Sequence, residues 1–153
     1  MAYYTKVLQP DETVKYIGKL HWIIYRHAIL WAILALIAAV VSSNLEADQR
    51  FLVLMVAAAL AGLAIIWFIR SWFHRWTTEM VVTNKRIIQK VGFIKRFTTE
   101  MNITKVETVD VIQPFWGRLL GYGSVRAIGT GASLETLPYV ASPIQLRNAI
   151  VVG

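Results

Sequence analysis

The residues whose types would do chemistry are few, and the largest group is basic. Lys85, Arg86, Lys90, Lys95 and Arg96 fall within twelve positions of one another. On two adjacent hairpin arms they would meet anionic headgroups, each cation near a charged surface contributing about 1 kcal/mol. As ordinary strand and turn positions they would simply be solvated. Glu107 and Asp110 invite comparison with an acid–base pair, but a three-residue spacing on a strand sends them to opposite faces. The histidines, His21, His27 and His74, form neither an HxxxH nor an HExxH pattern. No cysteine is present, which excludes disulfides, thiolate metal sites and cysteine nucleophiles. Gly121-x-Gly123 and Gly129-x-Gly131 complete no phosphate loop and read as tight turns. These residue types point to binding, with no cofactor, no metal and no catalytic group.

The elements that must position them begin with two apolar runs. Residues 28–41 and 51–69 carry no charge, although 16% of the chain is charged. Trp22 to Val41 and Phe51 to Ile69 are each close to the roughly 20 residues that a helix needs to cross about 30 Å of hydrocarbon. Trp22, Arg26, Arg70, Trp72, Arg75 and Trp76 border these runs as an interfacial anchor, with Arg26 snorkelling to the headgroups. Residues 42–50 form the connection, expected outside the cell. Lysines and arginines before and after the hairpin put both termini in the cytoplasm. The net charge of +7 is then explained by a membrane surface, and no nucleic-acid partner is expected. Ala57, Ala58, Ala61 and Gly62 form a small-residue stripe for close helix packing, with Ala35, Ala38 and Ala39 as the partner surface. Packing within the hairpin is the preferred reading and homo-oligomerisation the other.

The rest is strand-like. Thr13 to Leu20 alternates roughly, as a half-buried strand in the lead-in would. Thr78 to Thr83, a two-residue Asn84-Lys85 turn and Arg86 to Val91 predict a hairpin, followed by a strand over Phe93 to Thr99. Val106 to Gln113 alternates most cleanly, with Glu107, Val109 and Val111 on one face. Gly123 to Ile128 and Leu134 to Val140 predict a further hairpin. Ser142-Pro143-Ile144-Gln145 then starts a helix, with Pro at its first position. Pro114 to Gly121, with Phe115 and Trp116, is too apolar for an idle loop. It either folds under the sheets as core, the preferred reading, or presents a contact surface to a partner or the bilayer.

In this order and spacing the chain resembles the bacterial pleckstrin-homology-like membrane proteins of the YdbS type, over nearly its whole length. The likeness is carried by Pro10-Asp-Glu12, the two apolar runs and Glu79-Met-Val-Val-Thr83-Asn84-Lys85-Arg86 with Gly92. It continues through Ile103-Thr-Lys-Val106, Gly117-Arg118-Leu-Leu-Gly121-Tyr122-Gly123, and Pro143 with Leu146-Arg147 and Ile150. The resemblance implies an α + β membrane protein. Its parts would be a lead-in over 1–21, a transmembrane hairpin over 22–76, and a small antiparallel barrel with a C-terminal capping helix over 77–153. It implies a binding or scaffold module at the cytoplasmic face of the bacterial inner membrane, acting on protein partners or anionic headgroups. An assembly subunit that oligomerises through the hairpin is the alternative. The long basic loop of eukaryotic lipid readers is replaced by Asn84-Lys85, which argues against specific inositol-phosphate recognition.

Overall fold

The structure is a computed structural model that describes residues 8–92, 97–130, 132–134 and 136–151. Strand β1 (Val14–Gly18) comes first, then a 3-10 turn (Trp22–Tyr25), helix α1 (Arg26–Ser42) and helix α2 (Ala47–Thr77). Strands β2 (Glu79–Thr83), β3 (Arg86–Val91), β4 (Phe97–Asn102) and β5 (Val106–Ile112) follow. Helix α3 (Phe115–Leu120), strands β6 (Tyr122–Gly129), β7 (Ala132–Ser133) and β8 (Leu137–Ala141), and helix α4 (Pro143–Val151) complete the chain. It divides into two compact units: Trp22–Arg75, and everything before and after.

The lead-in set apart by sequence is the first strand of the domain. β1 pairs antiparallel with β2 across the whole hairpin, Ile17 opposite Val81 and Gly18 opposite Met80. The two-residue turn predicted at Asn84-Lys85 joins β2 to β3, with Val82 opposite Ile87. One sheet therefore runs β1-β2-β3-β4, and β4 extends to Asn102, beyond the expected end at Thr99. Residues 93–96, part of that expected strand, lie outside the described residues. In the second sheet β5 pairs with β6, whose other edge is shared by β7 and β8.

These two sheets do not form the closed barrel that was expected. A 3-10 turn (Ile103–Lys105) separates β4 from β5, and those strands belong to different sheets. On the opposite side, residues 19–21 leave the first sheet and bond to β8 in the second. Leu20 bridges Val140, His21 N–H donates to the Tyr139 carbonyl at 2.6 Å, and Ala141 N–H donates to the Lys19 carbonyl at 2.8 Å. Helix α4 packs on both sheets, contacting β1, β2, β5 and β6, and buries Pro143, Leu146 and Ile150. Pro143 holds its first position as expected, since that residue lacks only an N–H the helix would leave unbonded. Val82, Ile87, Ala127, Val140 and Leu146 at 0% exposure mark the core. A register shift between Val106 and Thr108 overturns the clean alternation expected for β5. Glu107 joins Thr108 in solvent instead of lying with the half-buried Val109 and Val111.

Glu12 closes the domain. Its side chain is 0% exposed and accepts Arg86 Nη2 at 2.9 Å and Nε at 3.0 Å, the Thr83 hydroxyl at 2.7 Å, and Gln9 N–H at 3.1 Å. Arg86 also reaches Glu100 on β4 at 2.7 Å. Asn84 adds an exchange with Thr13, donating its N–H to the Thr13 carbonyl and accepting the Thr13 N–H on Oδ1. The segment before β1 is thereby fastened to the β2–β3 turn, 74 residues away in sequence between Glu12 and Arg86.

Within the other unit, α2 is longer than its predicted span, and α1 starts later and ends one residue beyond its own. Ser42 and Ser43 hydroxyls bond back to Ala39 and Val40 carbonyls, so α1 ends late, and Asp48 favours the early start of α2. Only residues 43–46 of the expected 42–50 connection are non-helical. At 1.5 Å per residue, the 31 residues of α2 extend about 46 Å and carry Arg70, Trp72 and Arg75 on the helix itself.

Hydrogen bonds from Arg86 lower the Glu12 pKa from 4.5 to about 2. A carboxylate with a depressed folded pKa stabilises fully above its unfolded value, and that stability is lost as pH falls towards the folded value. The thermal midpoint of the detergent-solubilised chain, followed by circular dichroism, should therefore fall between about pH 4.5 and 2. Glu12→Gln should cost about 2–4 kcal/mol at neutral pH and flatten that acid limb. An acid limb of wild-type steepness in the variant would refute this assignment.

Candidate functional site

Of the three described members of the basic cluster, two lie on β3 close to carboxylates. Lys85 stands exposed at the β2–β3 turn, but Arg86 lies between Glu12 and Glu100, and Lys90 sits directly opposite Glu79. Opposite charges facing across a strand pair satisfy one another before any ligand arrives. Lys95 and Arg96 lie outside the described residues. The Gly129-x-Gly131 turn is likewise only partly described, because Gly131 lies outside those residues.

The anchor residues of the hairpin meet aromatic partners that no local sequence signal announces. Tyr25 stacks on Phe68 at 5.3 Å and His27 lies 5.1 Å from Trp67, both pairs crossing from α1 or its leading turn to α2. The Arg70 guanidinium sits 5.7 Å from the Trp67 ring and that of Arg75 lies 6.0 Å from Tyr25. These are cation–π distances. Arg26 Nε donates to His27 Nε2 at 3.3 Å, and Trp72 packs edge-on to Phe73. Trp22 and Trp76 are exposed.

The helix-packing seam keeps only Ala57 and Ala35 of the residues expected for it. Ala28, Ala35 and Ser42 are the buried residues of α1, and Ala57, Ala64, Ser71 and the terminal Thr77 those of α2. Apart from Thr77 they recur every seven positions on each helix, the repeat of a supercoiled seam. Ser71 Oγ donates across it to the Ile24 carbonyl at 3.1 Å. Ala58 and Ala61 are exposed, and a Cβ at Gly62 would meet nothing within 4 Å. The spacing Ala58-xxx-Gly62 therefore belongs to a second face of α2, away from the seam.

The Pro114 to Gly121 segment is helical, and its apolar load is not core. Phe115, Trp116, Leu119 and Leu120 are all exposed, so the preferred expectation is overturned. The cause is Gly117, the one buried residue of α3. A Cβ there would lie 2.5 Å from the Tyr122 carbonyl oxygen and 2.8 Å from Pro114 Cδ. The helix thus lies against β6 through a glycine, and its large side chains all project outward. Gly121, with φ of 78°, ends α3 in the left-handed region that glycine adopts without strain. A cleft of about 620 Å³ opens beside it, lined by Gln113, Arg118, Gly121, Ser142, Pro143, Ile144 and Gln145.

A family model described as a bacterial PH domain matches residues 20–150. The chain belongs to the bacterial PH domain family. No curated protein and no solved structure matches it. The bacterial PH domain match takes in the hairpin and every strand except β1, so Glu12 and the first strand are read from the structure itself. What this bacterial PH domain leaves exposed is Lys85 at a turn, the second face of α2, and the apolar face of α3.

Gly117→Ala should destabilise the domain by about 1–3 kcal/mol, the usual cost of forcing a methyl group into closed packing. Gly62→Ala should change stability little, because open space surrounds that position. Thermal melts of the two variants side by side check the contrast, and equal effects would contradict the packing of α3.

Proposed function

We infer that this bacterial PH domain is an integral membrane binding module. Its hairpin spans the bilayer, and its two-sheet domain works at the cytoplasmic face on protein partners, anionic headgroups or both. The observation that carries this is the bareness of the hairpin. The segments Trp22–Ser42 and Ala47–Thr77 are long and apolar enough to cross a membrane, yet only 6% and 11% of their most apolar stretches is buried. A core helix of a soluble protein would be covered by its neighbours, whereas lipid covers a spanning helix. Because β1 before the hairpin pairs with β2 after it, both ends of the hairpin return to one side. Lys15, Lys19 and Arg26 precede it and Arg70, Arg75 and Lys85 follow, which favours the cytoplasm for that side. PH-like domains are generally binding modules and not enzymes. With Arg86 and Lys90 facing carboxylates, contact with headgroups would be electrostatic and weakly selective.

Membranes from expressing cells test this directly. The chain should stay in the pellet through an alkaline carbonate wash, and a reporter fused after Gly153 should read as cytoplasmic. Release into the wash would overturn the spanning assignment, and an external reporter would overturn the orientation.

The second face of α2 favours assembly as a further role. Ala58, Ala61 and Gly62 continue along the helix to Ile65 and Phe68, which line an apolar cleft of about 490 Å³ with Tyr25, Ala28 and Ala64. Small residues let a second helix approach closely where lipid supplies no hydrophobic drive. Gly62→Leu should convert a cross-linkable oligomer to monomer without loss of helicity. A wild-type chain that is already monomeric in bilayers would eliminate this role.

A further inference from the structure

The exposed face of α3 has no function in the fold. Phe115, Trp116 and Leu119 are 76%, 61% and 69% exposed, Leu120 is 39% exposed, and Ile112 at the end of β5 adds 66%. Leaving such side chains in water forgoes about 1.5–3 kcal/mol each. Singly they would need no explanation, but on one element they form a contiguous patch of the kind that marks a contact. At about 100° per residue, Phe115, Leu119, Trp116 and Leu120 share one arc of the helix. Arg118 falls about 60° beyond one edge of that arc and Gly117 about 60° beyond the other. From Val111 to Val125 the only charged residue is Arg118, and no carboxylate interrupts the surface.

We propose that α3 is a second membrane contact, which enters the headgroup–acyl boundary of an anionic bilayer with Phe115, Trp116, Leu119 and Leu120. Arg118 stays at headgroup level. Aromatic and leucine side chains rimmed by a cation are the composition of interfacial elements, and the absence of acidic residues suits a negative surface. The cleft beside α3 carries Gln113, Arg118, Ser142 and Gln145 among apolar neighbours such as Pro143 and Ile144, and gives a headgroup room next to the inserted side chains. Given the bilayer-spanning hairpin inferred above, on which this rests, Thr78 alone separates α2 from β2. The domain is thus held at high effective concentration near lipid, and a small patch suffices for stable contact.

The chain has no cysteine, so single labelling sites can be placed without background. Phe115→Cys and Leu119→Cys, each carrying a nitroxide, would be measured in the full-length chain in vesicles of phosphatidylethanolamine and phosphatidylglycerol. Leu36→Cys on α1 serves as the hydrocarbon reference, and Thr130→Cys, beyond the far end of β6, as the aqueous reference. The readout is the relative accessibility of each label to oxygen, which partitions into lipid, and to a water-soluble nickel chelate. Labels at 115 and 119 should show an oxygen-to-nickel ratio severalfold above that at 130 and shifted towards that at 36. Water-like ratios at both α3 positions, with a lipid-like ratio at 36, would overturn the α3 contact and leave the spanning hairpin standing. Shielding of both α3 labels from both reagents would also overturn it, showing a protein surface there, such as a second copy of this chain. A water-like ratio at 36 would refute the hairpin assignment and remove the basis for the α3 contact with it.

Discussion

A carboxylate with no exposed side-chain surface is tolerable only where positive charge and hydrogen-bond donors surround it, and Glu12 has both. Two guanidinium nitrogens of Arg86, the Thr83 hydroxyl and the Gln9 amide converge on it. The domain is assembled from two pieces of chain with a helical hairpin between them, and this cluster fastens the short piece to the long one. Residues 14–18 then become the edge of the first sheet, and residues 19–21 become the seam to the second. Remove the charge of Glu12 and Arg86 loses its buried carboxylate, while Glu100 lies at the half-exposed side of β4. The cluster is therefore a condition for the sheet order more than an ornament of the surface.

An insertion made this way constrains function. The entropy of bringing β1 to β2 grows only as the logarithm of the intervening length, so a long hairpin between them is thermodynamically cheap. Both of its ends connect through short segments: Lys19–His21, which bond to β8, and Thr78. A module joined to its hairpin by two short connections has little freedom to leave a bilayer that the hairpin spans. Under the proposed membrane role, the outward side chains of α3 and the second face of α2 are the surfaces suited to lipid or to other membrane proteins.

Much of this was legible in the residues because the signals were local. The two-residue Asn84-Lys85 turn between β-branched runs gives β3 to the residue and β2 to within one, and Pro143 marks the start of α4. Apolar length alone marks the hairpin. What was not legible depends on distance or on facing. Glu12 looks like any acidic residue of a polar turn, since nothing nearby shows that its partner is 74 positions on. Composition says that α3 is apolar but not which way it points; the signal was Gly117, its buried residue, where the helix comes close to the Tyr122 carbonyl. The alanines of α2 offered two competing faces, and the seven-residue repeat through Ala57, Ala64 and Ser71 prevailed over Ala58-xxx-Gly62. A register shift at Glu107 broke an alternation that looked regular, and the 3-10 turn after β4 left two sheets where a closed barrel was expected.

The claim on which the rest depends is that the segment before the hairpin is an integral strand of the domain. Amide hydrogen exchange of the full-length chain in bilayer discs measures it most directly. If β1 belongs to the sheet, the amides of β1 that bond to β2 will exchange slowly and in step with those joining β2 to β3, because strands of one cooperative unit open together. Fast exchange across Val14–Gly18, beside slow exchange in β2 and β3, would contradict the account and return that segment to a flexible lead-in.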